Sequence, residues 1–134
     1  MFKVIVAGSR NFGYSEDRVF NPKEYAFMRA KLDHLLANKE HVEIVSGTAW
    51  GADRCGELYA KKRGLKVALF PAEWNHTDEN GNVKINRAAG HIRNRKMGDY
   101  ADALVAFRKD KSKGTSGMIE YAKKKGLQVR VFDV

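Results

Sequence analysis

Apolar runs and amphipathic stretches alternate along the whole chain. Phe2 to Ala7 is continuously apolar apart from Lys3 and predicts a buried strand. From Pro22 to Asn38, Tyr25, Met28, Leu32, Leu35 and Leu36 recur at helical spacing, and Pro22 stands at an opening position. A second strand is predicted at 42–45. A helix over 52–63 follows, with Cys55, Leu58, Tyr59 and the Lys62 stem on one side. Lys66 to Phe70 reads as a third strand, closed by Pro71, and a polar loop with Asp78, Asn80, Gly81 and Asn82 comes next. The remaining elements are a helix over 88–100, a strand at 103–107, a helix over 116–125 and a strand at 127–132.

Strands that are apolar on both faces and separated by helices imply a parallel sheet covered on both sides. The expected fold is therefore α/β and Rossmann-like, five parallel strands in the order 3-2-1-4-5 with helices on both faces. Ligands in such sheets bind at the carboxyl ends of the strands, beside the point where strand order reverses. Three turns of small residues meet there: Gly8-Ser9-Arg10, Ser46-Gly47-Thr48-Ala49-Trp50-Gly51-Ala52-Asp53, and Lys113-Gly114-Thr115-Ser116-Gly117.

Composition narrows the setting. A length of 134 residues with 43% hydrophobic residues suits one domain with a real core. No apolar run approaches the length of a membrane span, and Met1 leads straight into a strand, so neither a membrane nor a targeting segment is expected. The single cysteine, Cys55, fits a reducing cytoplasm and reads as a buried structural thiol. The net charge of +9 favours anionic partners, but Lys61-Lys62-Arg63 and Lys123-Lys124-Lys125 each end at a glycine. That is ordinary chemistry for the last turn of a helix, so nucleic-acid binding is permitted by the charge and not demanded by it.

The candidate chemistry lies in the turns. None is a G-x-G-x-x-G fingerprint, a P-loop or a G-x-S-x-G elbow, and no Cys/His cluster has metal-ligand spacing. No cofactor or metal is expected. A strand that breaks into glycines and then opens a helix exposes backbone N–H groups suited to phosphate or carboxylate. The alternative is a tight strand-to-helix turn in which Asp53 is an early helix carboxylate. On the third helix, Ala89, Ile92, Met97 and Tyr100 are expected to share one face, with Arg93 inside that stripe. Such an arginine serves an anionic ligand in the cleft or pairs with a carboxylate such as Asp53. Arg95 and His91 fall on the other side. Trp74 reads more readily as a packed lid than as a stacking platform.

Taken in order, Gly8-Ser9-Arg10, Ser46-Gly47-x-Ala49-x-Gly51-Ala52-Asp53, Pro71-Ala72-x-Trp74, Ala89-Gly90-x-Ile92-Arg93-Asn94-x-x-Met97, Ala101-Asp102-Ala103 and Gly114-Thr115 resemble the SLOG superfamily of Rossmann-like domains. The resemblance covers nearly the whole chain and is strongest to the YspA/cpYpsA-related SLOG family. It implies a nucleotide or nucleotide-derived ligand, with phosphate or ribose held by Gly8, Ser9, Arg10, Ser46, Gly47, Gly51, Gly114, Thr115 and Ser116, Arg93 as charge partner, and a possible homodimer. Superfamily relatives include the Lonely-guy phosphoribohydrolases and the DNA-processing protein A family. The first keep an Arg-Lys pair, matched here by Arg95-Lys96, and a glutamate where this chain has Met118. Asp53 and Glu120 are the carboxylates left for such catalysis. The second resembles this chain at Gly8-Ser9-Arg10 and keeps single-stranded nucleic acid open as a partner.

Overall fold

Residues 1–134 are described by a computed structural model. The strands are β1 (Phe2–Gly8), β2 (Val42–Ser46), β3 (Lys66–Leu69), β4 (Asn75–Thr77), β5 (Val83–Ile85), β6 (Ala103–Arg108) and β7 (Gln128–Asp133). The helices are α1 (Pro22–Leu35), α2 (Ala52–Arg63), α3 (Ala89–Tyr100) and α4 (Lys113–Lys124). Five strands form one sheet in the order β3-β2-β1-β6-β7, every pair parallel. Counting only those strands, this is the expected 3-2-1-4-5 order of a Rossmann-like α/β fold.

Alternation along β1 divides the core in two. Val4 and Val6 join Phe12, Met28, Leu32, Cys55 and Tyr59 on the face covered by α1 and α2. Ile5 and Ala7 join Met97, Met118, Ile119 and Ala122 on the face covered by α3 and α4. Successive strand side chains point to opposite faces, so one apolar run serves both layers. Gly56 brings α2 close to β1: a Cβ there would lie 2.7 Å from Val6 Cγ1.

Local chemistry starts and stops the helices. Asn21 caps α1, its side chain accepting from the N–H groups of Lys23 (3.1 Å) and Glu24 (3.2 Å) ahead of Pro22. Helix α2 ends at Gly64 in the left-handed conformation, with Lys61, Lys62 and Arg63 in its last turn.

Two expectations need correction. The polar loop after β3 contains a small antiparallel hairpin, β4–β5. Asp78 Oδ1 accepts from the N–H groups of Asn80 and Asn82, both at 2.9 Å, which closes its turn. Its three-residue arms are exposed and too short to leave a periodic signal. Helix α4 begins at Lys113, three residues before the predicted start, so Gly114, Thr115 and Ser116 form its first turn.

Candidate functional site

The carboxyl ends of β1 and β6 run side by side, Gly8 opposite Phe107, where strand order reverses. Gly8 permits that approach, since a Cβ there would collide with the Phe107 carbonyl and lie 2.7 Å from Ala52 Cβ. Ser9 then ties the two strand ends together. Its N–H donates to Phe107 O at 3.0 Å, and its buried hydroxyl accepts from the Lys109 N–H at 2.7 Å. The Ser9 carbonyl accepts from Ala52 N at 3.1 Å, which docks the start of α2 on the same point.

Above this junction lies a cleft of about 820 Å³, lined by Ser9, Arg10, Thr48, Trp50, Trp74 and Gly114 among others. Beneath it is a hollow of about 100 Å³ that shares Arg10, Ala49, Ser112 and Gly114 with the cleft. Gly8, Asp53, Arg93, Asn94 and Thr115 complete the polar part of that hollow, and Ala7, Met97 and Met118 give it an apolar wall. The first-turn N–H groups of Gly114 and Thr115 have no acceptor within the chain, and no side chain caps α4. Arg10 is exposed and forms neither an ion pair nor a side-chain hydrogen bond.

Asp53 and Arg93 face one another across Gly47. A Cβ on Gly47 would lie 2.7 Å from Arg93 Nη1 and 2.8 Å from Asp53 Oδ2, so only glycine leaves the gap open. Arg93 Nη1 donates to the Gly47 carbonyl, and its Nε donates to Asn94 Oδ1 at 2.9 Å. The ion pair with Asp53 that the sequence allowed does not form: neither hydrogen-bonds the other, and no contact reaches ion-pair distance. Asp53 is 5% exposed, and its Oδ2 accepts from the Ala49 N–H at 3.2 Å. Burial pushes the carboxyl up to about 7, against the opposing pull of Arg93 and the Ala49 N–H. Burial also lowers the Arg93 guanidinium from its ordinary value, with Asp53 opposing.

Of the residues expected at the site, Gly8, Ser9, Arg10, Asp53, Arg93, Gly114 and Thr115 line the cleft or the hollow beneath it. The others do not. Ser46 is fully buried at the end of β2, donating to Glu57 Oε2 at 2.6 Å and accepting from Thr48 N at 3.1 Å. Gly47 separates Asp53 from Arg93. Gly51 opens α2 at φ +90°, with the Ser9 and Arg10 backbone where a side chain would be. The Ser116 hydroxyl turns to Arg108, accepting from its Nη1 at 3.1 Å. Arg95 and Glu120 line a separate hollow of about 220 Å³ with His91, Tyr121 and Lys124. Glu120 is therefore not brought to the cleft.

The buried face of α3 carries Ala89 and Met97, while Ile92 is 41% and Tyr100 37% exposed, so the apolar stripe expected there is narrower than its spacing implied. Trp74 stands at the cleft rim, 43% exposed, with the edge of its ring against Gly90. Sequence reasoning passed over Trp50, whose ring lies under the guanidiniums of Arg18 (4.7 Å) and Arg54 (4.5 Å), with Tyr14 edge-on. Its signal was available: an indole inside a glycine-bounded turn at a strand end. The cleft contribution of Ser15, Glu16 and Arg18 had no such signal, because that strap is placed only by tertiary packing.

No group of three His, Cys, Asp or Glu side chains is placed to hold a metal ion, and no helix is long and apolar enough to cross a membrane. No curated protein and no solved structure matches the chain. The model of the family described as "YspA, cpYpsA-related SLOG family" matches residues 2–76, from β1 into β4. That stretch contains Gly8-Ser9-Arg10 and the Ser46–Asp53 turn, while Arg93 and the first turn of α4 lie beyond it. With more than half of its 134 residues matched, and with the parallel sheet the resemblance implied, the chain belongs to the YspA, cpYpsA-related SLOG family.

Proposed function

We propose that this domain binds a nucleotide or nucleotide-derived small molecule in the cleft at the carboxyl edge of the sheet. The observation that carries the reading is the convergence of two unsatisfied cationic features on one concave surface. These are the free N–H groups of Gly114 and Thr115 at the start of α4, and the unpaired guanidinium of Arg10. A phosphate there accepts from both. Trp74 offers an indole face at the rim for a base, and the cleft volume lies within the usual range for small-molecule sites. Family membership supports a nucleotide-related ligand at this level.

A hydrolytic reading has one observation in its favour, the buried carboxyl of Asp53 held near neutrality in the inner hollow. The nucleic-acid reading rests on the Gly8-Ser9-Arg10 turn alone, because the two basic runs occupy the last turns of α2 and α4, at the amino edge of the parallel sheet and away from the cleft.

Isothermal calorimetry with a panel of nucleoside mono- and diphosphates tests the proposal. Arg10→Ala should weaken the tightest nucleotide by about 1.5–3 kcal/mol, the scale of a hydrogen bond to a charged group. Arg95→Ala should leave it unchanged. If Arg95→Ala weakens binding and Arg10→Ala does not, the ligand lies over α3 and α4 and this assignment of the site fails.

A further inference from the structure

The inner hollow differs from the cleft above it in size, charge and wall. Its volume of about 100 Å³ is too small for a nucleotide base together with its sugar, whereas the cleft at about 820 Å³ accommodates the rest of such a ligand. Asp53 projects into it with one oxygen committed and one free. Oδ2 accepts from Ala49 N, and Oδ1 has no partner in the chain. No unpartnered polar side-chain atom of the protein is sealed from solvent, so Oδ1 retains access to solvent, and Asp53 lines the hollow. A carboxylate in that position accepts hydrogen bonds from hydroxyl groups and repels a phosphate. Anionic groups are thus directed upward, to Arg10 and the first turn of α4. The apolar wall of Ala7, Met97 and Met118 suits the carbon face of a sugar ring.

Resting on the nucleotide reading above, we infer that the inner hollow receives the 2′,3′-hydroxyl edge of a ribose, with Asp53 Oδ1 as its acceptor, so that the domain selects ribonucleotides over deoxyribonucleotides. The shape of a nucleotide agrees with this layout. Base and 5′-phosphate leave the pentose from the carbons flanking its ring oxygen, and the two hydroxyls share the opposite edge. With that edge turned down to Asp53, the phosphate reaches Arg10 and Gly114 and the base lies in the cleft beside Trp74. Arg93, held by the Gly47 carbonyl and by Asn94, fixes the charge beside the carboxylate without occupying Oδ1. A buried polar group left unpaired by a ligand lacking the hydroxyl is the strongest discriminator a binding site can use.

The test measures affinities of the four ribonucleoside 5′-monophosphates and their 2′-deoxy and 3′-deoxy counterparts by calorimetry, at about pH 8, where Asp53 is ionised. Wild-type protein should bind its best ribonucleotide about tenfold or more tighter than the matching deoxy compounds. In Asp53→Asn, the preference should fall to about threefold or less while circular dichroism stays unchanged. Equal wild-type affinities for ribo and deoxy forms overturn the inference and leave nucleotide binding standing. A preference that survives intact in Asp53→Asn overturns it too, because another group then reads the hydroxyls. Absence of binding by every compound overturns both the inference and the nucleotide reading. Should the variant not fold, the wild-type ratio measured at about pH 6 and pH 8 takes its place: it should rise as Asp53 ionises, and a ratio unchanged between them overturns the inference.

Discussion

A carboxyl group removed from water, beside a guanidinium that it does not touch, is governed by two opposing forces. For Asp53, desolvation exceeds the attraction of Arg93, and the group titrates at about 7 in place of 3.8. The charged groups that act on it are Arg93 from α3, Arg10 from the loop after β1, and Glu57 from its own helix, with Glu57 reinforcing the upward shift. The folded protein therefore holds this proton more tightly than the unfolded chain does. That contribution to stability is fully present below about pH 4, declines as pH rises and is gone above about pH 7, with an upper limit on the order of 4 kcal/mol. Asp53→Asn keeps an acceptor for the Ala49 N–H and removes the titration. Urea midpoints measured across this range should fall less with pH in the variant than in wild type, and the variant should be the more stable of the two above about pH 7. Parallel pH profiles for the two proteins would show that Asp53 titrates in the ordinary carboxylate range. From the sequence, Asp53 was recognisable as an early helix carboxylate at a cleft edge. Its separation from Arg93 by Gly47 was not, because the two residues are 40 positions apart and come from different layers of the fold.

Helix α4 shows how a shift in one element boundary alters a site. The segment Ser112 to Thr115 reads as a loop because glycine and small polar residues usually punctuate helices. In the fold, α4 packs Met118, Ile119 and Ala122 against the sheet, and this burial extends the helix back to Lys113 in spite of Gly114. Gly114 then lines the cleft, and Gly114 and Thr115 line the hollow beneath it. Gly114 faces open space, with nothing within 4 Å of where a Cβ would be. Gly114→Val should therefore abolish or greatly weaken nucleotide binding while leaving the melting temperature within a few degrees of wild type, read by calorimetry and thermal melting together. A large loss of stability would mean that Gly114 serves the fold, and unchanged affinity would remove the start of α4 from the site. The hairpin β4–β5 is the converse case, an element invisible in the sequence because its short exposed arms depend on turn hydrogen bonds around Asp78.

Across the whole molecule, the two candidate catalytic carboxylates lie in different hollows. Met118 is buried in the layer between α4 and the sheet, Glu120 lies in a different hollow, and Asp53 is the carboxyl that the site retains. Chromatography of common nucleoside monophosphates incubated with the protein should show no efficient release of free base. Robust turnover that disappears in Asp53→Asn with ligand binding retained would instead make this an enzyme. The sequence alone determined the α/β class, the strand order and the edge of the sheet where the three small-residue turns meet. Those follow from apolar periodicity and chain-crossing rules, which act over a few residues at a time and leave a local record. It also singled out the turns that contribute to the cleft and the hollow beneath it. Which members of those turns face the cleft was decided only by tertiary structure. Ser46, Gly47, Gly51 and Ser116 point into packing or toward Glu57, Arg93, the Ser9–Arg10 backbone and Arg108, partners that the fold supplies from other elements. A side chain's direction at a strand end depends on what packs behind it, and that neighbour is seldom adjacent in sequence.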